Sequence, residues 1–286
     1  MMGRTGRRIE RAAFLAMLLL CPVGASAQIG RRDLEDLERH RPPIIRIEGV
    51  QSWEDNSQAL GVSGFPILNT WDLLEEEEGE GEVAERLPLV ADLPTVLMAL
   101  PVELMPPTCE YLDAFVRDYV SRHARSIGIA LKRYYRYEPL LRTTFEKYGL
   151  PGDLTLLAVV ESAMNPRALS SAGARGMWQF MPATARSYGL KCNGIVDDRL
   201  DVPLSTDAAA RYLRRAYERF GSWPLAISSY NCGPGGVEKA LARAGGSGFW
   251  EVYPYLPAET RGYLPAFVAV LYSLYAGELT EDDSVG

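Results

Sequence analysis

From about Pro107 onward the chain is written in apolar residues spaced three and four apart, and this period constrains the fold more than any other feature. The stretch EYLDAFVRDYVSRHARSIGIALKRYYRYEPLLRTTFEKYGL (110–150) carries it and stops at Gly149, with Pro151 just beyond. A second helix is expected from Asp153, a candidate N-cap, to Pro166. PATARSYG sets Pro182 at a helix start and Gly189 at its end. STDAAARYLRRAYERFG opens on a Ser205/Thr206 cap and closes on Gly221. WPLAISSYN, PGGVEKALARAG and PAETRGYLPAFVAVLYSLYAG supply three more helices. No strand-like alternation interrupts the series, so the expectation is an all-α domain over residues 108–276, with function placed in its short loops. An acidic tail, 277–286, follows.

The preceding residues are of another kind. Arg4, Arg7, Arg8 and Arg11 stand before the apolar run AAFLAMLLL, and Ala25-Ser26-Ala27 supplies a small-x-small cleavage site, so residues 1–27 read as an export signal. The run falls short of the roughly 20 apolar residues of a spanning helix. Lipid modification at Cys21 is the competing reading, but Leu20 before it is larger than such signals use, and cleavage after Ala27 is favoured. Residues 28–107 carry six Lys and Arg against seventeen Asp and Glu, with the run EEEEGEGE at 75–82 and no sustained period. Like charges at that density oppose compaction, which reads as a mostly disordered acidic spacer. The expected location is therefore outside the cytoplasm, in a periplasm or cell envelope, with an outer-membrane lipoprotein the lesser alternative. Cys109, Cys192 and Cys232 then allow at most one bridge, with Cys192–Cys232 one candidate pairing.

Charge and composition also exclude functions. Residues 108–286 balance twenty basic against nineteen acidic side chains, without the basic stripe that nucleic acid requires. Two histidines, His40 and His123, and no CxxC spacing leave little with which to build a zinc site or a His-based triad. No metal or organic cofactor is expected. The acids of VDDRLD (196–201) lack the spacing and closing Glu of a calcium loop, and Asp–Arg pairing is expected there instead. Arg211, Arg214, Arg215 and Arg219 on one helix read as a solvated face or as partners for anionic groups. His123 reads as a surface or packing residue.

The chemistry gathers around LTLLAVVESAMNP (154–166). Leu154, Leu157, Ala158 and Glu161 stand at i, i+3, i+4 and i+7, so an acid continues an apolar stripe. Either Glu161 is a structural acid held by an arginine or backbone amides, or it is a general acid whose pKa desolvation raises. The small-residue loop RALSSAGARGMWQFMPATA, the helix end SSYNCGPGG and the segment ETRGYLPAF follow in that order.

Glu161-Ser162, GMWQF (176–180), SYN (229–231) and ETRGY (259–263), in this order, resemble the motifs of the lysozyme-like lytic transglycosylases, in particular their soluble-lytic-transglycosylase (SLT) domain in its membrane-bound type D branch. The resemblance covers residues 108–276. GMWQF departs from the commoner GLMQ, and SYN from AYN. The resemblance implies a helical lysozyme-like fold and cleavage of peptidoglycan between N-acetylmuramic acid and N-acetylglucosamine, with glycan strands as the partner and 1,6-anhydromuramoyl ends as the product. Glu161 matches the family's sole acid and base. Ser162 is expected to support the loop of the acid by hydrogen bonding. Ser170 either stands near the reacting sugar or caps a turn. Gln179 and Asn231 suit acetamido groups, each offering a donor and an acceptor. Tyr230 and Tyr263 match tyrosines lining the cleft, and Met177, Trp178 and Phe180 are candidates for apolar contact with sugar faces, Phe180 equally for the core.

Overall fold

The computed structural model describes residues 104, 106 and 110–283, with side chains as far as residue 276. The expected export signal, Cys21, nearly all of the expected spacer and the side chain of Cys109 lie outside the described residues. Within the spacer, Leu104 is described and is fully buried in the core.

The described residues are all-α, with no strand among them and three isolated bridges: Leu169–Arg175, Arg175–Phe180 and Cys192–Asp197. Helix α1 (Glu110–Glu146) carries the longest apolar series, with Leu112, Phe115, Val116, Ile127, Tyr134, Leu141 and Phe145 buried. It bends at His123, whose backbone leaves helical geometry (φ −114°, ψ 16°) and whose ring packs 4.8 Å from that of Tyr119. Gly149, at φ +63°, reverses the chain after α1, and Leu150 N–H returns to the Phe145 carbonyl (3.2 Å).

The segment bearing Glu161 differs from its expected form. A 3₁₀ turn, Gly152–Leu156, precedes a short helix α2, Leu157–Ser162. Asp153 lies inside this turn and not at its cap, and its two carboxylate oxygens accept from Arg142 Nη2 (2.6 Å) and the Tyr275 hydroxyl (2.9 Å). Helix α2 stops at Ser162, well before Pro166, because Ala163 (φ +49°) and Met164 (φ +63°) turn left-handed. Leu154 and Leu156 through Val160 are all fully buried, so this segment is core on every side and not along one stripe alone.

Helices α3 (Pro182–Ser187), α4 (Val202–Phe220), α5 (Trp223–Cys232) and α6 (Pro234–Ala244) follow, with a 3₁₀ turn at Asp198–Leu200. Asp201, not Ser205 or Thr206, caps α4: its carboxylate accepts from Leu204 N–H (2.8 Å), while Ser205 and Thr206 lie buried inside the helix. After the one-turn α7 (Phe249–Val252) and a 3₁₀ turn (Tyr253–Tyr255), α8 runs from Ala258 to Asp283, past the expected domain end at 276. Helix α8 is buried almost throughout from Tyr263 to Ala276, and it packs along α1 and against α2 and α5. It is the central post that brings its own residues up to Glu161.

Cys192 and Cys232 are both free thiols, so the candidate bridge does not form. The Cys232 thiol donates instead to the Ser228 carbonyl one helical turn back (3.5 Å).

Candidate active site

Glu161 is the penultimate residue of α2 and faces a cleft of about 750 Å³ formed by the 170–181 loop, α4, the end of α5 and the start of α8. Its surroundings are assembled from the loop outward. Ser162, fully buried, donates to the Met177 carbonyl (2.8 Å) and to its own helix at Ala158 (3.2 Å), tying the acid's helix to the loop. Gly176 (φ +81°) passes so close to Arg199 that a Cβ there would lie 1.9 Å from the Arg199 carbonyl oxygen. Arg199 holds the same loop from below through Nη1, which donates to the carbonyls of Gly173 (2.9 Å) and Phe180 (3.0 Å). Its Nε and Nη2 form a two-pronged pair with Asp197 (2.8 Å each), and Arg175 adds a third bond (3.1 Å). The Asp–Arg pairing expected in VDDRLD is thus the clamp under the loop.

Two expected sugar contacts are corrected. Met177 and Trp178 have no exposed surface. Trp178 stacks on Phe145 (centroids 5.5 Å apart, planes at 20°) and donates from Nε1 to Thr206 Oγ1 (2.9 Å). The positive φ values at Gly176 and Gln179 turn the loop so that Met177 and Trp178 point into the core while Gln179 stays on the cleft. Phe180 packs in the core and reaches the cleft wall. The Ser170 hydroxyl accepts from Ala174 N–H (2.9 Å), capping the turn, and the residue lines the cleft.

Tyr263, Tyr230, Gln179 and Asn231 are brought together around Glu161 on the cleft. The Tyr263 hydroxyl, presented by α8 and fully buried, donates to Glu161 Oε1 at 2.5 Å. Tyr230 donates to the Trp178 carbonyl (3.0 Å) and leaves its ring on the cleft. Gln179 Nε2 donates to Gly176 (2.8 Å) and Ala168 (3.3 Å) within the loop, and Asn231 Oδ1 accepts from Thr260 Oγ1 (2.7 Å). Among the described residues the Gln179 carbonyl oxygen and the Asn231 amide nitrogen keep no protein partner, one acceptor and one donor on the same cleft.

Burial pushes the Glu161 carboxyl up to about 8; the Tyr263 hydrogen bond opposes this, and the charge of Glu259 adds to it. No cation stands beside Glu161 among the described residues. The carboxyl is therefore a proton donor near neutral pH, and it remains a proton acceptor within the same reach. Burial also raises the Tyr263 and Tyr230 hydroxyls far above the ordinary phenol range, which keeps both as donors.

Tyr188 and Tyr212 were not expected in the site, and Arg215 only as one of four arginines open to anionic groups; with Glu259 they line the cleft. Glu259 was visible only as the first letter of ETRGY. Tyr188, Tyr212 and Arg215 sit on elements whose spacing reads as ordinary helix, and packing alone brings them to the acid.

Against this geometry, the family model "Transglycosylase SLT domain" matches residues 142–253. The membrane-bound lytic murein transglycosylase D of Escherichia coli K12 is 42% identical over 130 residues, 44% of this chain and 28% of that protein. The membrane-bound lytic murein transglycosylase F of Shewanella halifaxensis is 35% identical over 136 residues, 43% of this chain and 26% of that one. The soluble lytic murein transglycosylase of Salmonella typhimurium is 35% identical over 123 residues, 40% and 19%. The chain thus spans less than a third of the length of these relatives. The matched segment begins in α1 and ends after α7, so it contains Glu161, the 170–181 loop, the α4 wall and Asn231. Residues 142–253, which hold the acid and most of its cleft, are thus similar to the transglycosylase SLT domain.

Proposed function

We propose that the chain is a peptidoglycan lytic transglycosylase, cutting the β-1,4 bond between N-acetylmuramic acid and N-acetylglucosamine and leaving a 1,6-anhydromuramoyl end. The observation that carries this reading is Glu161: an acid at the edge of the core, without a cation, bonded to a buried tyrosine and open to a long cleft. Glu161 gives its proton to the glycosidic oxygen as the bond from the anomeric carbon breaks. The resulting carboxylate, steadied by Tyr263, takes the proton of the muramoyl C6 hydroxyl, whose oxygen bonds to the anomeric carbon. One acid is used twice, its proton is restored, and no water enters. A hydrolase working on this bond through two carboxylates needs the second roughly 5–10 Å away.

Gln179 and Asn231 read the acetamido group, Tyr230 lines the sugar path and Ser170 borders it. Ser162 acts through the loop rather than by touching sugar. The N-terminal residues direct export, and the enzyme works in the periplasm or cell envelope on glycan strands, needing no cofactor.

The test is mass spectrometry of fragments released from purified sacculi, with Glu161→Gln run in parallel. Anhydromuramoyl ends that vanish in the variant are the expected result. Reducing muramoyl ends would overturn the reading in favour of hydrolysis, with Glu259, the other carboxylate on the cleft, as the group to test next. Release of nothing, with retention on sacculi, would leave a wall-binding protein.

A further inference from the structure

Helix α4 carries four arginines toward one side, and three of them are already engaged. Arg211 pairs with Asp207 (2.9 Å) and donates to the Tyr188 carbonyl (2.7 Å). Arg214 pairs with Glu218 (2.7 Å) and reaches the Tyr148 carbonyl (3.1 Å), and Arg219 pairs with Glu238. Arg215 differs. It is exposed, it lines the cleft, and among the described residues it pairs with no carboxylate; its guanidinium lies against the Tyr188 hydroxyl.

Three tyrosine rings connect this cation to the acid. Tyr230 and Tyr212 have centroids 5.0 Å apart, and Tyr212 and Tyr188 5.5 Å. Tyr230 and Tyr212 lie within electrostatic reach of Glu161, whereas Tyr188 lies within reach of Arg215 and Arg211. The cleft therefore changes character along this row, from the Glu161 carboxyl to the Arg215 guanidinium where Tyr188 meets α4. The Tyr212 hydroxyl is spent on the Ser229 carbonyl (2.6 Å), so within this row it is Arg215 that offers charged donors to a ligand.

An unpaired guanidinium presents a planar fork that fits a carboxylate. On the proposed substrate, N-acetylglucosamine is neutral, and carboxylates belong only to the substituent of the muramoyl sugar. They come from the lactyl group when the stem peptide has been removed, and from the stem when it is present. We propose that Arg215 binds a carboxylate carried by the muramoyl substituent and so sets the register in which a strand lies across Glu161. This rests on the peptidoglycan reading and narrows it, because the two sugars of the repeat are nearly alike in outline and differ in charge.

The test measures binding in a Glu161→Gln background, where no turnover disturbs the equilibrium, with and without Arg215→Gln. Three ligands are compared by calorimetry: soluble peptide-bearing strands, strands stripped of stems by an amidase, and chitotetraose, which has no carboxylate. Removing Arg215 is expected to raise Kd about fivefold for a carboxylate-bearing strand, the upper range for an exposed ion pair. Chitotetraose binding should not change, and the loss should shrink as salt is added. Arg215→Lys should recover part of the affinity, and unchanged circular dichroism and Tm keep the comparison clean. A loss on peptide-bearing strands alone assigns the stem carboxylates, and a loss on stripped strands alone assigns the lactyl group. Equal losses on all three ligands, or none on any, would overturn the inference. Strand binding that is intact but indifferent to Arg215 sinks this inference alone, whereas failure of the parent protein to bind any strand sinks the peptidoglycan reading.

Discussion

Glu161 and Asp197 are both partly buried carboxylates beside the same loop, and the fold drives them in opposite directions. Asp197 is held by Arg199 and Arg175, and their hydrogen bonds bring its carboxyl down to about 2. Glu161 is met by a phenol and, at a distance, by another acid, so desolvation prevails and its carboxyl is pushed up to about 8. Burial alone does not decide what a carboxylate does; the nearest donors do. A pair of arginines makes an acid into a structural clamp, while one tyrosine leaves it able to give and take a proton. The clamp fixes the carbonyls of Gly173 and Phe180, and the loop between them carries Gln179 to the cleft.

The largest effect expected is at Glu161 itself. Glu161→Gln removes the acid and should reduce turnover by about 10²–10⁴-fold, measured by release of soluble fragments from sacculi. The same variant should gain stability relative to the parent as pH rises. Between the ordinary 4.5 of a glutamate and about 8, the folded parent holds a proton that its unfolded chain has released, so its stability falls with pH. The variant escapes that fall, and its Tm advantage should widen from pH 5 to pH 8 and then level. A constant advantage would show that both acids behave alike.

Next in size is the clamp. Arg199→Ala leaves Asp197 with Arg175 alone and frees two loop carbonyls, and should cost about 3 kcal/mol in denaturant unfolding. The parent should also lose stability as pH falls from the ordinary 3.8 of an aspartate to about 2, while the variant is flatter over that window.

Tyr263→Phe comes third. It deletes the bond that steadies the carboxylate formed once Glu161 has given its proton, a hydrogen bond to a charged group worth about 1.5–3 kcal/mol, and should lower kcat about tenfold or more. Because the phenol favours the ionised acid, its loss should move the alkaline limb of the pH–rate profile upward. Glu259→Gln has the smallest effect. Removing a neighbouring negative charge should shift that limb downward by a fraction of a unit with kcat little changed at pH 6, and a collapse of kcat would instead make Glu259 a participant.

Much of this was legible in the sequence. The helices of 110–146, 223–232, 234–244 and the last long helix follow their apolar period, and Gly149, Gly189 and Gly221 stop the chain where left-handed backbone is needed. Glu161 stood out because nothing in its own segment could neutralise it. The end of α2 was not legible, since Ala163 and Met164 carry no sign that they adopt the conformation glycine usually takes. Nor was the inward turn of Trp178, whose place depends on Phe145 from α1 and Thr206 from α4. The cap of α4 went to Asp201 because α4 starts three residues before Ser205, with Pro203 in its first turn. The tyrosine row is a product of tertiary packing, invisible to any local window, and so is the choice of Arg215 among the four arginines of α4.

The central claim is that the fold keeps Glu161 protonated at neutral pH while keeping Asp197 charged. Carbon-13 NMR titration of the side-chain carboxyls, with Glu161→Gln used to assign the resonance that disappears, measures this directly. The Glu161 signal should titrate near pH 8 and that of Asp197 near pH 2. A Glu161 midpoint near 4.5 would contradict that claim, because the acid would then reach the glycosidic oxygen without a proton to give.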